Sequence, residues 1–101
     1  MISQKDQDLA TLILEHSTQL QKGENVMVQL IGLNGIDLLR ALVEQIRDKG
    51  SHPFVQIEDT ETQRLLIEKG DTGFWQNQAS VDQLPLMKQM DVFIGIRASE
   101  N

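Results

Sequence analysis

No cysteine occurs in the chain, so neither a disulfide framework nor thiolate chemistry is open to it. Tyrosine is absent too, and one tryptophan with three phenylalanines supplies every aromatic ring. The core must therefore be mainly aliphatic. Basic residues are in deficit, nine Lys and Arg against fifteen Asp and Glu, giving a formal net charge of -6. That balance disfavours nucleic acid or an anionic membrane as the main partner, because phosphate binding needs a basic surface. No stretch of about 18 apolar residues occurs, so no membrane-spanning helix is expected. The polar start, Met-Ile-Ser-Gln-Lys-Asp, lacks the apolar core of a signal peptide, which makes a cytoplasmic location the default expectation.

What remains is ordinary globular material. The 101 residues suit a single domain, and 40% hydrophobic with 24% charged residues argues against disorder. Leu9, Leu12, Ile13, His16 and Leu20 form a helical stripe, with Ser3 as cap and Gly23 as a left-handed stop. The run over residues 25–31 is rich in apolar and β-branched side chains on both faces, as in a strand covered on both sides. Gly32-Leu33-Asn34-Gly35 then turns the chain, and Asn34 is placed to cap a helix carrying Leu38, Leu39, Leu42, Val43 and Ile46. Asp37, Arg40, Glu44 and Arg47 face water on that helix, and Gly50 ends it.

Pro53 favours an extended His52, and residues 54–57 read as a second strand. A shorter helix is predicted over residues 61–69, capped by Asp59 or Thr60 and ended by Gly70. Phe74 and Trp75 are expected to plug the core. Ser80 and Gln83 form a capping-box spacing, with Pro85 tolerated in the first turn that follows. Met27, Met87 and Met90 read as core filler. Residues 91–96 form the most apolar strand candidate, expected to be central.

Strands alternating with helices imply right-handed crossovers and an α/β fold. The expected architecture is a three-layer open parallel sheet of about three strands with helices on both faces, flavodoxin- or Rossmann-like. The favoured strand order is second-first-third; a simple sequential order stays open. Because the chain stops just after its third strand with no closing helix, it is expected to be a fragment of a longer protein.

Ligands of open α/β sheets bind at the carboxyl ends of the strands. Gly32, Asn34 and Gly35 follow the first strand there, and Glu58, Asp59 and Glu61 follow the second. They offer an anion- or nucleotide-binding alternative through Gly32, Asn34, Gly35 and Asp59. However, neither G-x-G-x-x-G nor a phosphate-binding G-x-x-x-x-G-K-[ST] can be written. A strand-to-helix turn with a capping acid is the plainer reading. Oxygen ligands for Mg²⁺ or Ca²⁺ could also come from the acids, but a helix start favours carboxylates by itself. His16, on the apolar stripe, is expected to be buried, hydrogen-bonded or domain-facing. His52 stands at a strand entrance, at the opposite end from the ligand crevice. With no H-E-x-x-H and no G-x-S-x-G, no catalytic residue, cofactor-binding residue or metal ligand is assigned.

Read in order, the segments resemble the start of the thermophilic metallo-aminopeptidase family, the group of aminopeptidases T and S. The likeness runs from Leu9-Ala10-Thr11-Leu12-Ile13 through Gln21-Lys22-Gly23-Glu24-Asn25-Val26 to Leu38-Leu39-Arg40-Ala41-Leu42. It is most specific at Lys49-Gly50-Ser51-His52-Pro53-Phe54-Val55 and closes on Asp91-Val92-Phe93-Ile94-Gly95-Ile96, ending at Asn101. The resemblance implies a non-catalytic amino-terminal domain, inactive alone. In the parent, two divalent ions of the Zn, Co or Mg class would bind in a later catalytic portion and activate a water. It also implies peptide substrates, the catalytic domain of the same chain as partner, and a homodimeric parent.

Overall fold

Three parallel strands form one sheet in the order β2-β1-β3, as the favoured sequence reading has it. The computed structural model describes residues 2–69 and 84–98. The strands are β1 (Asn25–Ile31), β2 (His52–Glu58) and β3 (Val92–Arg97). The helices are α1 (Gln4–Leu12), α2 (Ile36–Asp48), α3 (Thr60–Lys69) and the single turn α4 (Leu84–Met87). Val28 sits beside Val55 on one side and Ile94 on the other, which fixes the register of both ladders. The connection from β1 to β2 steps outward, and that from β2 to β3 steps back past β1. A right-handed crossover places α2 over one face, and the step back past β1 gives the strand order of a doubly wound, flavodoxin-like sheet.

β1, not β3, is the central strand, contrary to the expectation for residues 91–96. Burial shows why. Val26, Met27, Val28 and Leu30 are buried from both faces of β1, whereas β3 buries only Ile94 and leaves Phe93 46% exposed. An apolar run measures what a strand can bury; it carries no information about which strands flank it.

On one face, Val26, Val28 and Leu30 join Leu39, Ala41, Leu42 and Ile46 of α2 in the main core cluster. The α2 stripe is the one expected, and its end is too: Gly50 takes φ 78 and donates to the Arg47 carbonyl. β2 is longer than the predicted 54–57, starting at His52. Pro85 does lie in the first turn of α4. Met27 is core, but Met87 is 40% exposed, so it is not filler. Gly70, Phe74, Trp75, Ser80 and Gln83 lie outside the described residues.

The first helix turns a different face inward. Ser3 caps it as expected, accepting from the Asp6 N–H. Its buried residues, however, are Ala10 and Leu14, while Leu9 and Leu12 are 41% and 52% exposed and His16 is exposed with them. At about 100° per residue, Leu9, Leu12 and His16 lie opposite the face that carries residues 7, 10, 11 and 14. That inner face is held by a polar seam. Thr11 Oγ1 donates to Gln45 Oε1 at 3.0 Å, and Gln45 Nε2 donates to the Gln7 carbonyl at 3.0 Å. Beyond Leu12 the helix widens into a π-turn over Ile13–Ser17, closed by Thr18 N–H on the Ile13 carbonyl. The left-handed residue after it is Gln19, φ 49, not Gly23. Leu20 then folds back into the core, its N–H on the Leu14 carbonyl at 2.9 Å. Gly23, φ 87, belongs to the turn entering β1.

Candidate functional site

At the carboxyl edge of the sheet the structure brings the loop carrying Gly32, Asn34 and Gly35 next to the start of α3, which Asp59 caps. Gly32 takes φ 95, and its N–H continues the ladder by donating to the Glu58 carbonyl at 2.9 Å. Opposite, Ala98 N–H donates to the Ile31 carbonyl at 3.0 Å. The loop is pressed onto the strand ends. A Cβ at Gly32 would overlap the Ala98 carbonyl oxygen, with Thr60 Oγ1 3.6 Å away. A Cβ at Gly35 would stand 2.8 Å from Leu30 Cδ1 and 3.1 Å from Ile96 Cγ2. Close packing of backbone on strand ends is thus sufficient reason for both glycines.

The polar groups at this edge are partly committed within the fold. Gly35 N–H donates to the Gly32 carbonyl at 3.3 Å, closing a 3₁₀ turn over Leu33–Gly35. Asn34 lies inside that turn, and Gly35 takes the N-cap position of α2. Asp59 does cap α3: its Oδ2 accepts from Thr62 N–H at 3.3 Å and Thr62 Oγ1 at 2.9 Å. Glu61 pairs with Arg64 at 3.7 Å, both well exposed. Among the described residues no three His, Asp or Glu side chains lie close enough to hold a metal ion.

Replacing Asp59 with alanine is expected to lower stability by about 1 kcal/mol, and with asparagine by much less, since either oxygen side chain can accept from N3. Urea unfolding of both variants checks this. An alanine variant as stable as the wild type would remove the cap as the explanation for this acid.

The amino edge of the sheet is bound together more densely. Gly23 N–H donates to the Gly50 carbonyl at 3.1 Å, and His52 N–H to the Glu24 carbonyl at 2.9 Å. Ser51, the one buried polar side chain among the described residues, donates from Oγ to the Gln21 carbonyl at 2.9 Å. Asn25 N–H meets Asp91 Oδ2 at 2.8 Å, and Asp91 N–H returns to the Asn25 carbonyl at 2.8 Å. The entrances of all three strands are tied to one another here. His52 sits at this edge, exposed, at the strand entrance that the sequence predicts.

One concavity lies away from both strand-end edges. An open, almost wholly apolar groove of about 470 Å³ runs between α2 and β2, floored by Leu39, Val43, Val55 and Ile57 and rimmed by Arg40 and Glu44. Pro53 is the sequence signal that could have found it. Proline within a sheet marks an edge strand, and Val55 and Ile57 follow it on one face.

Fold and edges together define a small doubly wound α/β domain. No protein-family model matches the chain, and no curated protein matches it. No described helix is long and apolar enough to cross a membrane.

Proposed function

We propose that the chain is the non-catalytic amino-terminal domain of a cytoplasmic, metal-dependent aminopeptidase whose chemistry lies elsewhere in the same polypeptide. The observation that supports this is where the resembling segments fall. Residues 21–26, 49–55 and the start of 91–96 are far apart in sequence, yet their hydrogen bonds converge on one edge of the sheet. The converging groups are backbone amides and carbonyls, the Ser51 hydroxyl and the Asp91 carboxylate, each bonded to the backbone of a neighbouring segment, which suits a support.

In this reading the intact enzyme removes amino-terminal residues from peptides, as a homodimer. Two divalent ions of the Zn, Co or Mg class supply an activated water in the catalytic portion. This chain holds that portion and contributes no ligand to it. Hydrolysis of aminoacyl p-nitroanilides with added Co²⁺ or Zn²⁺ provides the test. The chain alone should stay at the blank rate, and the chain joined to the coding sequence that follows it should show metal-dependent turnover. Turnover by the chain alone sinks the reading, as does a downstream sequence without clustered glutamate and histidine.

The nearness of Gly32, Asn34 and Gly35 to the start of α3 at the carboxyl edge favours a second reading, a stand-alone nucleotide- or anion-binding module. Its weakness is that Gly32 and Gly35 already donate their N–H groups within the fold. Amide shifts at Gly35 on titration with adenine nucleotides or phosphate would establish it, and silence there would remove it.

A further inference from the structure

We propose that the outer edge of β2 and the groove beside it form a docking surface for a second copy of this chain. The two copies would join about a two-fold axis at Gln56, making one continuous sheet. This rests on sheet geometry and not on the aminopeptidase reading.

The hydrogen-bond phase of β2 decides what its outer edge, paired with no other strand among the described residues, presents. His52 donates to the Glu24 carbonyl and Glu58 accepts from Gly32, so the even-numbered residues aim their peptide groups at β1. Both groups of one residue point the same way, and neighbours alternate. Pro53, Val55 and Ile57 therefore aim theirs outward, and Pro53 has no N–H to offer. Antiparallel pairing centred on Gln56 sets Val55 opposite Ile57 of the second copy, and Ile57 opposite its Val55. Each pair exchanges N–H···O=C bonds in both directions. A two-fold at Val55 would instead place Pro53 against Ile57 and leave the Ile57 carbonyl facing a ring with no donor.

The same register solves an apolar problem. Val55 and Ile57 are 44% and 49% exposed on an edge strand, where bare apolar surface invites association. Opposed residues of an antiparallel ladder share a face, so the four side chains meet and the two grooves fuse across the axis.

Charge completes the fit. A two-fold surface must be complementary to itself. Arg40 and Glu44 stand one turn apart on the groove rim, exposed, with opposite signs. The axis runs the two α2 helices antiparallel, setting Arg40 towards Glu44 of the second copy and Glu44 towards its Arg40. The Arg40–Asp37 pair, 3.8 Å long and largely exposed, is too loose to prevent this.

Sedimentation equilibrium of the chain should show a reversible dimer. Arg40→Glu and Glu44→Arg should each weaken it roughly ten-fold, and the double reversal should restore it to within about three-fold. Gln56→Cys places the sole thiol of the chain on the axis, where opposed Cα atoms are about 4.5 Å apart, within disulfide reach. Mild oxidation should give a covalent dimer from Gln56→Cys and little from Arg47→Cys on the outer face of α2. The trap stands even if a reversed variant fails to fold, because Gln56 gives up only a 3.4 Å amide contact with Gln29. A monomer at every concentration overturns the proposal. So does a trap no better than Arg47→Cys, or a dimer indifferent to both charge reversals.

Discussion

Gly32→Ala should destabilise the fold by about 3–5 kcal/mol, the largest effect expected from an added methyl group at any glycine among the described residues. Two costs combine. The backbone at φ 95, ψ 118 is a region that side chains other than hydrogen rarely enter, which costs on the order of 1–3 kcal/mol. The new Cβ would also overlap the Ala98 carbonyl oxygen, and that oxygen is backbone whose own N–H is fixed to Ile31. It cannot rotate aside as a side chain can, so relief means displacing the end of β3. A domain of this size holds roughly 5–10 kcal/mol in all, so much of its margin would vanish. Thermal unfolding should fall by roughly 15–30 °C. A fall of only a few degrees would mean that the loop is not pressed onto β3 as described.

The other glycines calibrate this. Gly35→Ala meets Leu30 Cδ1, the end of a side chain that can turn, together with the stiffer Ile96 Cγ2 and Ala98 Cβ, and about 1–3 kcal/mol is expected. Gly23→Ala meets nothing within 4 Å, so only the cost of φ 87, about 1 kcal/mol, applies. The order Gly32, Gly35, Gly23 therefore separates backbone overlap, side-chain crowding and pure conformational strain.

That graded series also marks the boundary of what sequence could say. Gly32 and Gly35 were legible as turn residues because a strand-like run ends and a helical stripe begins around them. Their reason was not, because Ala98 and Ile96 lie more than sixty residues further along the chain. Asp59 was legible as a cap, since a cap is a local interaction and its partner is three residues away. The parallel sheet followed from the alternation of strands and helices, whereas its order was only favoured, because an apolar run does not say which strand is flanked on both sides. Residues 21–25 and 49–53 were recognisable segments, but nothing in either announced that Ser51 would reach Gln21. The groove had a marker in Pro53, whose meaning depends on β2 being an edge. Local chemistry was readable; choices made by distant neighbours were not.

The first helix puts that distinction to a measurement. Its most apolar stripe, Leu9, Leu12 and His16, faces outward, while the buried face holds only Ala10 and Leu14 beside the polar seam of Gln7, Thr11 and Gln45. Leu14 is fully buried in the main cluster, so Leu14→Ala should cost about 3 kcal/mol, the transfer of its side chain plus the cavity left behind. Leu12, 52% exposed, should lose less than about 0.5 kcal/mol on the same change. Urea unfolding of the two variants decides between the stripes, because the apolar periodicity alone predicts the heavier loss at Leu12. Equal losses would show that the helix is rotated from the position described. The expected asymmetry has a physical origin in α2: Gln45 can accept from Thr11 and donate to Gln7 only when that side of the helix is turned inward, leaving the leucines opposite to face the solvent.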